Sequence, residues 1–136
     1  MRPLFLDSSG WFAAMSPRET GHALAAGTYA EARSAGAEIV TSDLVIAEMH
    51  TLVLRTRDAR GGREFLDAVF ESPSHTVVHA DAELTQAALA RWIRGFKDQP
   101  FSLCDAVSFE VMRRERIARA LTFDRHFSIA GFETLD

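Results

Sequence analysis

Cys104 is the only cysteine in the 136 residues. That excludes an intramolecular disulfide framework and a cysteine-built zinc site, and it fits a reducing compartment. No apolar run comes near the ~20 residues that a membrane span needs. Behind Met1-Arg2-Pro3 no apolar segment with a cleavage site follows, so the expectation is a cytoplasmic protein with no membrane partner. Lysine is nearly absent as well: Lys97 stands alone against fourteen arginines. Nor is there a basic excess, since the net charge is −4. That argues at first against a nucleic-acid partner.

What is present is the composition of one soluble globular domain spanning residues 1–136, with 47% hydrophobic and 25% charged residues. Four acids fall where the chain is otherwise apolar or turning: Asp7, Glu48, Asp105 and Asp124. Asp7 ends Leu4-Phe5-Leu6, and Asp124 ends Ala120-Leu121-Thr122-Phe123. Glu48 lies within Leu44-Val45-Ile46-Ala47-Glu48-Met49, and Asp105 follows Leu103-Cys104. A carboxylate among apolar side chains loses hydration, which costs several kcal/mol unless it is compensated. A shared cation would compensate all four. Setting them aside leaves fifteen acids against fifteen bases, so the bulk charge does not oppose a nucleic-acid substrate.

The apolar pattern predicts strands at Pro3–Leu6, Glu38–Val40, His75–His79 and Ala120–Phe123, with a short last strand at Phe132–Leu135. Between them it predicts helices over Trp11–Met15, His22–Ala35, Ser42 to about Arg57, Arg63–Glu71, Asp81 to about Gly95, and Ser102 to about Arg116. Gly61-Gly62 is read as a break before the helix at Arg63. Strands alternating with helices give an α/β domain with a mainly parallel sheet and helices on both faces. Ligands of such sheets bind beyond the carboxyl ends of the strands. Asp7 and Asp124, each read as the first residue after a strand, project from that edge. Glu48 and Asp105 reach it from helices. Glu48 is expected on the core side of its helix, and Asp105 in a first turn where the dipole favours an anion.

Each acid has a plainer reading. Ser102-Leu103-Cys104-Asp105 resembles a capping box, Asp7 and Asp124 could cap following helices, and Asp43 is a cap or first-turn acid. Glu48 is explained well by neither capping nor solvation. One metal site accounts for the four together. Carboxylates without cysteine or paired histidines suit Mg²⁺ or Mn²⁺ rather than zinc. His75 and His79 flank a strand and stand ~13 Å apart. His50 reads as a helix-surface residue, and His126 as a residue that could approach substrate.

Four segments, in order, resemble a PIN-domain ribonuclease of the VapC toxin type. They are Phe5-Leu6-Asp7-Ser8-Ser9, Thr41 to Glu48, Ser102 to Phe109, and Ala120-Leu121-Thr122-Phe123-Asp124-Arg125-His126-Phe127. The resemblance implies a three-layer α/β/α sandwich with a short, mainly parallel sheet. It also implies an endoribonuclease that uses one or two Mg²⁺ or Mn²⁺ ions, with Asp7, Glu48, Asp105 and Asp124 as its catalytic and metal-binding quartet. Ser9 matches a supporting hydroxyl. The implied partners are RNA, a VapB-like antitoxin and a second copy of the chain in a homodimer.

The chemistry expected is metal-assisted hydrolysis of an RNA phosphodiester, with no side-chain nucleophile. Arg94 and Arg125 are candidate RNA contacts, within a wider set of Arg55, Arg57, Arg60, Arg63, Arg91 and Lys97. Two other readings stay open. One is a non-catalytic partner-binding module of the same fold, with Trp11, Phe12, Trp92, Ile93 and Phe96 as a possible apolar surface. The other is an aspartate-based phosphatase on a related fold, which lacks here a second acid beside Asp7 and a well-placed lysine.

Overall fold

The computed structural model describes residues 2–135. Its sheet has four parallel strands, β1 (Leu4–Leu6), β2 (Ile39–Ser42), β3 (His75–Val78) and β4 (Arg119–Leu121), in the order β3-β2-β1-β4. Leu4 pairs with Ile39 on one side and Arg119 on the other, and Ile39 pairs in turn with His75. The inner strands β1 and β2 are buried along their whole length, as strands covered on both faces must be. Parallel neighbours need crossovers. Helices α1 (Ser8–Met15) and α2 (His22–Ser34) connect β1 to β2, and α3 (Asp43–Thr56) and α4 (Ala59–Glu71) connect β2 to β3. The third crossover, α5 (Ala82–Ala88) and α6 (Leu103–Glu115), runs back across the sheet to β4. Crossovers keep one hand, so this reversal puts α5 and α6 on the opposite face and yields the α/β/α sandwich.

The core is aliphatic around the sheet and aromatic under α6. Trp92, Phe101, Phe109 and Phe127 interlock there, with Phe109 edge-on to Phe127 at 4.9 Å and to Phe101 at 5.0 Å between ring centres. Trp92 is buried in this group and Trp11 is buried against Phe65 and His75, so neither forms a surface. A buried carboxylate, Glu110, ties α6 to the segment before it. It accepts from Trp92 Nε1 at 3.2 Å, from Arg113 Nη2 at 2.7 Å and from Arg114 Nε at 3.0 Å, and Arg91 Nε lies 3.3 Å away.

Several local expectations are corrected. Gly61-Gly62 does not break the chain: α4 starts at Ala59, capped by Asp58, whose Oδ1 accepts from Gly61 N at 2.7 Å. A Cβ on Gly62 would meet Leu54 Cδ2 at 2.9 Å and His50 Nε2 at 3.0 Å, so the glycine serves close packing of α4 on α3. His50 is therefore half-buried at that contact. The helix expected from Asp81 to Gly95 gives way after Ala88 to one π-helical turn, Leu89–Ile93. β4 ends at Leu121, and the expected last strand is reduced to a single bridge between Glu133 and Arg119. A short helix absent from the sequence reading, α7 (Arg125–Ile129), follows Asp124.

Candidate active site

β1 delivers Asp7 to the carboxyl edge of the sheet, and α1 starts at once behind it. That start presses against β4. A Cβ on Gly10 would lie 2.2 Å from the Leu121 carbonyl oxygen, so only glycine permits the approach. The close packing brings Ser9 to Thr122. Thr122 Oγ1 donates to Asp7 Oδ2 at 2.7 Å and accepts from Asp124 N at 2.9 Å. Ser9 Oγ lies 3.2 Å from the same Asp7 oxygen and 3.1 Å from Thr122 Oγ1, and it accepts from Phe123 N at 3.0 Å. One hydroxyl pair therefore fixes both the first aspartate and the loop that carries the last.

Asp7 is 5% exposed, and its carboxyl is pushed up to about 6. Burial is the main cause, opposed by hydrogen bonds from Thr122, Ser8 and Ser9, while the negative charge of Asp105 adds to the rise. Asp105 stands in the first turn of α6 in the reciprocal capping box expected from the sequence. Its N–H donates to Ser102 Oγ at 3.0 Å, and its Oδ2 accepts from Ser102 N at 3.1 Å. Capping and clustering are thus compatible: the box holds the buried carboxylate against His126, close enough for its charge to be felt at Asp7.

Asp124 is not the first residue after β4 but the N-cap of α7, where its Oδ1 accepts from His126 N at 2.9 Å. That short helix turns His126 back over the pocket. Its Nδ1 lies 3.2 Å from Asp105 Oδ2 and 3.6 Å from Asp124 Oδ1. Asp105, Asp124 and His126 each offer a donor atom within 4.8 Å of the others.

Glu48 departs from expectation. It is exposed, because α3 buries Val45, Ile46, Met49 and Val53 instead. Ser8 Oγ donates to Glu48 Oε1 at 2.9 Å, which holds Glu48 on the rim. Half-buried Cys104 marks the convergence. Its thiol is pushed far up, by burial first and then by the charges of Glu48, Asp7 and Asp105.

The structure therefore gathers Asp7, Asp105, Asp124, Ser9 and His126 at one edge, with Glu48 at its rim. No lysine or arginine forms an ion pair with any of the four acids among the described residues, whereas His126 lies against Asp105 and Asp124. Thr122 went unnoticed in the sequence, although a threonine closing an apolar strand two residues before Asp124 was the available sign. Asp43 is a first-turn acid of α3 behind the Ser42 cap, and its carboxylate accepts from Ala80 N at 3.2 Å, which ties α3 to the end of β3. Arg94 and Arg125 are exposed and make no ion pair among the described residues. Arg55 lines a shallow groove with Ser8, Glu48, Thr51 and Leu52.

A small parallel α/β/α sandwich with carboxylates converging past its strand ends is the PIN-domain arrangement, and the family model for the PIN domain matches residues 4–133. The chain belongs to the PIN-domain family. It is 33% identical over 132 residues to the 23S rRNA-specific endonuclease VapC20 of two Mycobacterium tuberculosis strains, with 95% of each chain covered. A crystal structure of M. tuberculosis VapC20, described as a sarcin-ricin loop cleaving toxin, superposes with a TM-score of 0.81. That match has 31% sequence identity and again covers 95% of each chain.

Proposed function

We propose that the chain is a divalent-metal-dependent endoribonuclease, the toxin of a toxin–antitoxin pair, with Asp7, Glu48, Asp105 and Asp124 as its acidic quartet. The observation that carries this reading is a cluster of acids that no arginine or lysine pairs with among the described residues, one of them buried and lifted to about 6. Such a group calls for positive charge, and among the described residues only His126 pairs with the cluster. A donor set dominated by carboxylate oxygens fits Mg²⁺ or Mn²⁺. Asp7, Glu48, Asp105 and Asp124 would hold such a cation, which would supply activation of water and charge neutralisation for hydrolysis of a phosphodiester.

The protein's own part is positioning. Thr122 and Ser9 hold the Asp7 carboxylate in one orientation, the capping box does the same for Asp105, and the α7 cap for Asp124. Ser8 keeps Glu48 at the rim. Arg55 beside Glu48, Arg125 beside Asp124, and Arg94 are free to meet substrate phosphates, which compensates for the acidic net charge. An exposed loop suits a site that must reach one backbone strand. The names of the M. tuberculosis relatives make ribosomal RNA the first substrate to test.

The test is incubation with ribosomes and with protein-free 23S rRNA, with and without EDTA, followed by mapping of new 5′ ends. A discrete cut that EDTA abolishes is expected; cutting that persists in EDTA refutes the metal mechanism. The reading includes a homodimer and an antitoxin that covers the pocket. The homodimer is checked by light scattering of the purified protein.

A further inference from the structure

We infer that His126 is a ligand of the metal as well as a neighbour of its carboxylates, and that this nitrogen biases the pocket toward Mn²⁺ over Mg²⁺. The inference rests on the metal reading above and adds to it a donor that is not an acid. Two adjacent ligands of an octahedral ion with bonds near 2.1 Å stand about 3 Å apart, and two opposite ones about 4.2 Å. His126 Nδ1 is 3.2 Å from Asp105 Oδ2 and 3.6 Å from Asp124 Oδ1. Those are separations that one ion can span with small side-chain adjustments.

The ring is also held for the task. Phe101 meets it edge-on at 5.4 Å, and the backbone N–H of His126 donates to Asp124 Oδ1 at 2.9 Å. Its side chain is only 19% exposed, with the Nδ1 edge turned to the acids. Imidazole suits transition metals, whereas Mg²⁺ prefers oxygen and parts with its waters reluctantly. One nitrogen among oxygens therefore shifts preference without excluding Mg²⁺.

A rival role is positioning alone, with Nδ1–H donating to Asp105. His126→Asn separates the two, because an amide can still donate to Asp105 but brings no imidazole nitrogen. The experiment uses the full chain without RNA. Mn²⁺ binding is followed by electron paramagnetic resonance with Mg²⁺ as competitor, and electron spin-echo modulation is recorded on the bound Mn²⁺. Expected are nitrogen modulation that changes when the wild type is grown on ¹⁵N-histidine, and a roughly tenfold fall in the Mn²⁺/Mg²⁺ affinity ratio in His126→Asn. Bound Mn²⁺ without histidine modulation overturns the inference and leaves the metal reading standing. No Mn²⁺ binding, or binding untouched by Asp105→Asn, overturns the metal reading and the inference with it.

Discussion

The buried Asp7 carboxylate should make the metal-free protein less stable as pH rises, and replacing Asp7 with asparagine should relieve that. In the unfolded chain the group ionises near 3.8, and in the folded protein near 6. Below pH 4 both states hold the proton, and the group costs nothing. Between about 4 and 6 the unfolded state loses it first, so stability falls. Above 6 the full cost remains, about 3 kcal/mol from the size of the shift. Asn keeps the shape but places an amide against Ser9 and Thr122, which forfeits about 1 kcal/mol of hydrogen bonding.

The net gain for Asp7→Asn in EDTA at pH 7.5 is thus about 1–2 kcal/mol, or roughly 3–8 °C in melting temperature. At pH 4 the gain should vanish. Mn²⁺ at a hundredfold excess over its Kd adds about 2.7 kcal/mol to whichever form binds it. Wild type should therefore overtake the variant once the metal is added. Thermal melts followed by circular dichroism across pH 4–8 read all of this. Parallel stability curves for the two proteins, or a less stable variant at pH 7.5 in EDTA, would refute the account of the pocket as electrostatically strained.

Other consequences follow from single contacts. Thr122→Val removes the hydroxyl that Asp7 and the Asp124 N–H share, so about 1–3 kcal/mol of stability and most of the cleavage rate should go, read by melts and RNA digestion. Gly10→Ala forces α1 away from β4; cleavage should drop more than tenfold even where the variant still melts cooperatively. Glu110 is held down to about 2, chiefly by Arg113, so its contribution is present above about pH 4.5 and lost as pH falls toward 2. That contribution is at most about 3 kcal/mol, because the arginines around it are part-exposed. Acid unfolding of Glu110→Gln should accordingly lose its steepest segment in that window.

The fold was readable because each inner strand is a continuous apolar run and each crossover has helical periodicity. What escaped was decided by packing. Gly61-Gly62 carries the local signature of a break, but Leu54 and His50 need its missing side chain, and the Asp58 cap starts the helix earlier. Glu48 lies in an apolar stretch, yet the buried stripe of α3 is set by Val45, Met49 and Val53, which turns Glu48 to the rim. The four acids stood out in the sequence as charge among apolar residues, and so did Ser9 and the Ser102 capping box, whereas Thr122 and the link between α1 and β4 did not. Thr122 and Ser9 become partners only across the α1–β4 contact, more than a hundred residues apart in the chain. His126 joins the acids only because Asp124 caps a helix too short to show a period.

The central claim is that converging carboxylates make this chain a metal-dependent RNA-cutting enzyme. The most direct measurement incubates purified wild type and Asp105→Asn with ribosomal RNA in Mn²⁺, Mg²⁺ or EDTA, and maps the new 5′ ends. The account predicts a discrete cut by wild type in either metal, absent in EDTA and absent in the folded variant. The same cut appearing in EDTA, or made at full rate by Asp105→Asn, would contradict it.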